Sequence, residues 1–138
     1  MALDVKDLTV LLIEPSSTQS KFLKNAMAHH GIEKVDICIT GTEALTYAEV
    51  HQPDLIISAM YYDDMNAIEL VTKLRSNSNT QDLNFMLVSS ESDKKMLDDI
   101  KQAGVLALLP KPFDQRDFLT ALNAAKDTIE VDSIELDD

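Results

Sequence analysis

The sequence predicts an α/β domain, a parallel sheet of five strands with helices on both faces. Three observations predict it. Short apolar runs alternate with stretches of helical period five times along the chain. Runs such as Leu55-Ile56-Ile57 are apolar at consecutive positions, which suits strands covered on both sides. The connections are short, and 138 residues provide for one sizeable core rather than two.

Each element has its own signal. Leu8 to Ile13 (LTVLLI) is the first expected strand, broken by Glu14-Pro15-Ser16-Ser17. From Thr18 to His30 the residues Phe22, Leu23, Ala26 and Met27 recur at helical spacing, and Gly31 stops that helix. Val35 to Ile39 is the second strand. Thr40-Gly-Thr-Glu43 has the form of a capping box and opens a helix running to His51, with Pro53 beyond it. The third strand follows at Leu55. Asn66 caps a helix reaching Arg75 whose inner face carries Ile68, Val71 and Leu74. The polar loop SNSNTQDLN leads to a fourth strand, Phe85 to Ser90. Asp93 to Ala103 is the fourth helix, stopped by Gly104, and Val105 to Leu109 the fifth strand. Asp114 caps a last helix carrying Phe118, Leu119 and Leu122. The domain is expected over residues 1–126, with 127–138 as an acidic tail or linker.

Composition narrows the function. The net charge is −12, and DTIEVDSIELDD at residues 127–138 carries six acids and no base. With no basic stripe to offset this, binding to a phosphate backbone is not expected. No apolar run reaches the roughly 20 residues that span a membrane. The amino terminus MALDVKDL lacks the apolar core of a signal peptide, so a cytoplasmic location is expected. Cys38, the single cysteine, fits a reducing compartment and reads as inert core. The histidines His29, His30 and His51 have no metal-ligand spacing, and no glycine-rich phosphate loop follows strand 1.

Five strands suit the flavodoxin-like order 2-1-3-4-5, whose functional crevice lies past the carboxyl ends of strands 1 and 3. Glu14 and Pro15 after strand 1, Ala59 after strand 3, Ser89 at the end of strand 4 and Lys111 after strand 5 converge there. These residues carry a resemblance. The stretches LLIEPSSTQ, PDLIISAMYYDDMNAIELVTKLR, FMLVSS and LPKPF resemble the receiver domain of two-component response regulators over residues 8–126. The separations between Glu14, Ala59, Ser89 and Lys111 are 45, 30 and 22 residues, as in a receiver without insertions.

The resemblance implies phosphoryl transfer to an aspartate at the end of strand 3. An acidic pair after strand 1 would hold Mg²⁺, while a Ser or Thr and a Lys-Pro lysine would contact the phosphoryl group. Here the acceptor position is Ala59 and the acidic pair is Glu14-Pro15. No nucleophile remains, and Mg²⁺ binding is not expected from one carboxylate. Ser89 and Lys111 are kept, the family's aromatic switch falls on Leu108, and Lys111-Pro112 is expected as a cis peptide.

The expected function is that of a degenerate receiver, not an enzyme, which acts by contact with a signalling protein or a second copy. Its candidate face is Lys94, Lys95, Asp98, Lys101, Gln102 and Arg116. Two alternatives stand beside it. One is a switch using Asp63 or Asp64 as acceptor with Mg²⁺ on Glu14, although a plain turn is the simpler reading of both. The other is the regulatory domain of a longer response regulator. Lys111 is expected to pair with Glu14 and Ser89 to bond backbone. Of Tyr61 and Tyr62, one is expected to pack against the third helix.

Overall fold

The structure, a computed structural model, describes residues 4–105 and 107–125. After a 3-10 turn at Val5–Asp7, the elements are β1 Val10–Ile13, α1 Ser17–His29, β2 Val35–Cys38, α2 Gly41–His51 and β3 Leu55–Ser58. Then come α3 Ala67–Arg75, β4 Asn84–Ser89, α4 Lys94–Ala103 and β5 Ala107–Pro110. Residues 115–125 form a further helix, α5. The sheet is parallel throughout, in the order β2-β1-β3-β4-β5. This is the flavodoxin-like order expected for a five-stranded sheet of this class.

Strand alternation explains why the runs are apolar on both faces. Leu11, Ile13, Ile56, Phe85 and Leu87 enter the core beneath α2, α3 and α4. Their neighbours Val10, Leu12, Leu55, Ile57, Met86 and Val88 enter a second core with Leu23 and Met27 of α1 and Phe118 and Leu122 of α5. A methylene buried in either core stabilises the fold by about 0.8 kcal/mol, so both faces must be filled.

The caps follow their sequence signals. Thr40 Oγ1 accepts from Glu43 N at 3.1 Å, and Glu43 Oε1 accepts from Ile39 N at 3.4 Å. Asn66 Oδ1 accepts from Glu69 N, and Asp93 Oδ2 from Met96 N. Asp114 and Asp117 cap α5 reciprocally, each carboxylate accepting from the other's amide. Gly31 and Gly104 end their helices at φ +85° and +108°, where a Cβ would be strained.

Several expectations fail for physical reasons. β5 starts at Ala107, because Val105 N still bonds Ile100 O in the turn that closes α4. β2 is an edge strand and stops at Cys38, leaving Ile37 and Ile39 exposed. Phe22 is 52% exposed and Leu119 36%; both lie off the buried stripes of their helices. In α3, Ala67, Leu70, Val71 and Leu74 are buried, while Ile68 is only partly so. Residues 127–138, the expected tail, lie outside the described residues.

Candidate functional site

The register brings the strand ends together. Ile13 pairs with Ser58 and Ser89 with Pro110, so Glu14, Ala59, Ser89 and Lys111 all sit at the carboxyl edge of the sheet. Ala59 N donates to Ile13 O at 2.9 Å, and Lys111 N to Ser89 O at 3.0 Å. The Lys111-Pro112 peptide is cis, as expected.

The polar atoms at this edge are engaged by the chain itself. Glu14 is buried, and its Oε2 accepts from Ser16 N at 3.1 Å. Ser16 in turn caps α1 through Gln19 N. Ser89 Oγ accepts from Glu91 N at 3.1 Å, the backbone role expected of it. Beneath Ala59, the fully buried Ser58 donates to Ala59 O at 2.7 Å and shares a hydrogen bond with the Tyr62 hydroxyl. Burial pushes the Tyr62 phenol up, well away from ionisation at neutral pH. Tyr62 is the tyrosine packed in the core beside α3, whereas Tyr61 is exposed.

The expected Lys111–Glu14 pair does not form. Among the described residues the one ion pair is Lys95–Asp99 at 3.7 Å. Glu14 turns toward the Ser16 amide, while the half-buried Lys111 lines a groove of about 350 Å³ with Gln19, Phe22, Ser90, Pro112 and Phe113. Sharing a sheet edge is thus not enough to make an ion pair.

Asp64 holds the clearest structural role that the sequence reading missed. Its Oδ1 accepts from Gly41 N at 2.9 Å, and its Oδ2 accepts from Thr42 N at 2.9 Å and Thr42 Oγ1 at 2.7 Å. The carboxylate fastens the β3–α3 loop onto the amino terminus of α2, where free amides and the helix dipole favour an anion. The Thr42 hydroxyl and the two amides lower its pKa to about 2. Asp63 is exposed. Among the described residues, no group of three or more His, Cys, Asp or Glu side chains could hold a metal ion.

Arg75 is a second missed anchor. Its Nη2 donates to Gly104 O at 2.8 Å, and its Nη1 to Gln81 O at 2.8 Å and Leu83 O at 2.6 Å. It thereby ties α3 to the end of α4. Cys38 is buried with its thiol pushed up to about 11, first by desolvation and then by Glu43 and Asp36. It is poorly suited to nucleophilic chemistry.

The response regulator receiver domain family matches residues 10–123 of this chain. The chain belongs to that family. The receiver is 28% identical over 105 residues to the chemotaxis protein CheY1 of Helicobacter pylori, covering 75% of this chain and 85% of the relative. It superposes on the chemotaxis response regulator CheY4 of Vibrio cholerae with a TM-score of 0.76 at 25% identity, covering 84% and 96% of the two chains. A receiver domain of a Pseudomonas aeruginosa sensor histidine kinase, with magnesium in its active-site cleft, superposes at 0.78 with 18% identity, covering 87% and 98%. That last likeness carries the fold alone.

The receiver keeps its remaining sequence-predicted residues at its surface or edge. Leu108 is half-buried, packs against the α2–α4 core and lines a groove of about 510 Å³ along β5 and α5. Lys94, Lys95, Asp98, Lys101 and Gln102 are all exposed on α4 and, at about 100° per residue, span an arc of about 120°. Arg116 is exposed on α5. Pro15 is exposed beside Glu14. Among the described residues, no helix is long and apolar enough to cross a membrane.

Proposed function

We propose that this receiver signals through protein contact, without accepting a phosphoryl group at the end of β3 and without enzymatic activity of its own. The observation that carries the reading is the methyl side chain of Ala59 at the acceptor position. Phosphoryl transfer to this position needs a side chain with a nucleophilic atom held beside a cation clamp, and a methyl supplies neither.

The surroundings support the same reading. Mg²⁺ binding needs carboxylate oxygens near the strand ends. Pro15 brings none, Glu14 faces the Ser16 amide, and Asp64 is engaged by α2. The residues present do not fit the ion. The partner is a signalling protein or a second copy, met by the α4–α5 surface of Lys94, Lys95, Asp98, Lys101, Gln102 and Arg116.

Intact-mass measurement after exposure to acetyl phosphate with Mg²⁺ tests the reading. An unchanged mass is expected. A phosphorylated product whose formation is lost in Asp63→Asn or Asp64→Asn would establish a substitute acceptor and overturn it.

A further inference from the structure

Three of the six large apolar side chains that stand exposed among the described residues gather at one edge of the sheet: Ile37 in β2, Ile39 just past it, and Val50 on α2. β2 has a neighbouring strand on one side only. The Lys34 and Cys38 carbonyls accept from Val10 N and Glu14 N, so by alternation the N–H and C=O of Ile37 point away from β1. Two of the outward donors are already used, Val35 N by Glu33 O at 3.1 Å and Ile39 N by Glu43 Oε1 at 3.4 Å. The strand, VDIC, carries neither the lysine nor the proline that commonly blunts an edge.

Beside this edge, β2 and α2 enclose a groove of about 490 Å³ lined by Cys38, Glu43, Thr46, Tyr47, Val50 and His51 among others. Its wall is braced, because the Tyr47 hydroxyl donates to Asp36 and the Tyr47 ring stacks on His51 at 4.1 Å. Glu43 and Asp36 have no cation within ion-pair distance among the described residues. Their field reaches the groove floor, where they add to desolvation in pushing up the Cys38 thiol. Residues 33–52 hold Glu33, Asp36, Glu43 and Glu49 against Lys34 and His51. The edge is therefore open, apolar and acidic.

We propose that β2 accepts an added strand from a protein partner, an extended segment in which Lys or Arg alternates with β-branched apolar residues. Strand addition takes its affinity from main-chain bonds and its specificity from pockets for alternate side chains, and this edge has both. On the α2 side, a long basic side chain lays its stem along Tyr47 and Val50 and carries its charge to Asp36 or Glu43. On the opposite face, which Val35 and Ile37 share by two-residue spacing, apolar side chains cover Ile37. A second copy of this chain does not fit, since pairing β2 with β2 gathers two Asp36 and two Glu43 carboxylates with no cation between them. The surface is separate from the α4–α5 face and does not depend on it.

Amide NMR of the full chain, titrated with the end-blocked peptide Lys-Val-Arg-Val-Lys-Val-Arg, tests the proposal. Saturable shifts are expected at Val35, Ile37, Ile39, Tyr47 and Val50, together with slowed hydrogen exchange at the Ile37 amide. Replacing the peptide's Lys and Arg by Glu is expected to weaken binding at least about tenfold. Val50→Lys should do the same, and Val50 is exposed enough for that variant to fold. Lys95→Ala on α4 should leave binding unchanged, which separates this surface from the α4–α5 one. No shift, shifts centred on α4, unchanged exchange at Ile37, or equal binding of the Glu peptide overturns the proposal. Shifts along β2 that grow with protein concentration in the absence of peptide would assign the edge to a second copy and also overturn it.

Discussion

The β3–α3 loop and the β5–α5 connection lie at the same end of the sheet and treat their charges in opposite ways. In the first, the Asp64 carboxylate accepts three hydrogen bonds from Gly41 and Thr42, and the Tyr62 hydroxyl is shared with Ser58. In the second, Lys111 has no ion-pair partner among the described residues and Phe22 lies half open beside it. The difference separates holding from contacting. Polar groups next to Ala59 are turned inward to stabilise the fold, which leaves little there for a ligand. Cations and rings on the outer side keep unmet interactions, and these are what a partner can use.

The largest expected effect on the holding side is at Arg75. Arg75→Ala leaves the Gly104, Gln81 and Leu83 carbonyls without their charged donor. A loss of about 2–3 kcal/mol is expected in urea unfolding. Lysine should restore little, because one ammonium cannot reproduce the fork. Tyr62→Phe removes a single buried hydroxyl, and its expected cost is about 1 kcal/mol by the same measurement. If that substitution were neutral, the inward network would matter less than the comparison holds.

Asp64 predicts a dependence on acid. Its folded pKa of about 2 lies below the 3.8 of an ordinary aspartate, so its contribution is fully present above about pH 4 and is lost as pH falls toward 2. The unfolding midpoint of Asp64→Asn should therefore approach that of the native chain as pH drops through this window. A constant gap between the two would contradict the clamp. The smallest effect belongs to the outer side. Lys95→Ala breaks an exposed i,i+4 pair and should change stability by no more than about 0.5 kcal/mol. Weakened partner binding or self-association from so mild a change would sharpen the contrast.

The sequence made some of this legible and hid the rest for identifiable reasons. Signals confined to a few neighbouring residues came through: the Thr40–Glu43 box, the Asn66 and Asp93 caps, and the Gly104 stop. The parallel sheet followed from alternation, while the order 2-1-3-4-5 came with the fold class and not from any pattern in the residues. The Asp64 clamp spans 22 and 23 residues and depends on two loops meeting, which no local pattern records. Arg75 reaches 29 residues to Gly104 in the same way. Helical period located Phe22 and Leu119 on their helices but not the width of the buried stripe. For the crevice, topology placed Glu14, Ala59, Ser89 and Lys111 together correctly. The Glu14–Lys111 pair fails because the Glu14 carboxylate accepts from the nearby Ser16 amide instead.

The most direct test of a silent crevice is an amide NMR titration of the full chain with Mg²⁺, then with Mg²⁺ and beryllofluoride, a phosphoryl mimic. No saturable shift is expected at the amides of Glu14, Ala59, Ser89 or Lys111. Saturable shifts there, spreading into β5 and α4, would contradict it and show a working switch with an acceptor other than Ala59.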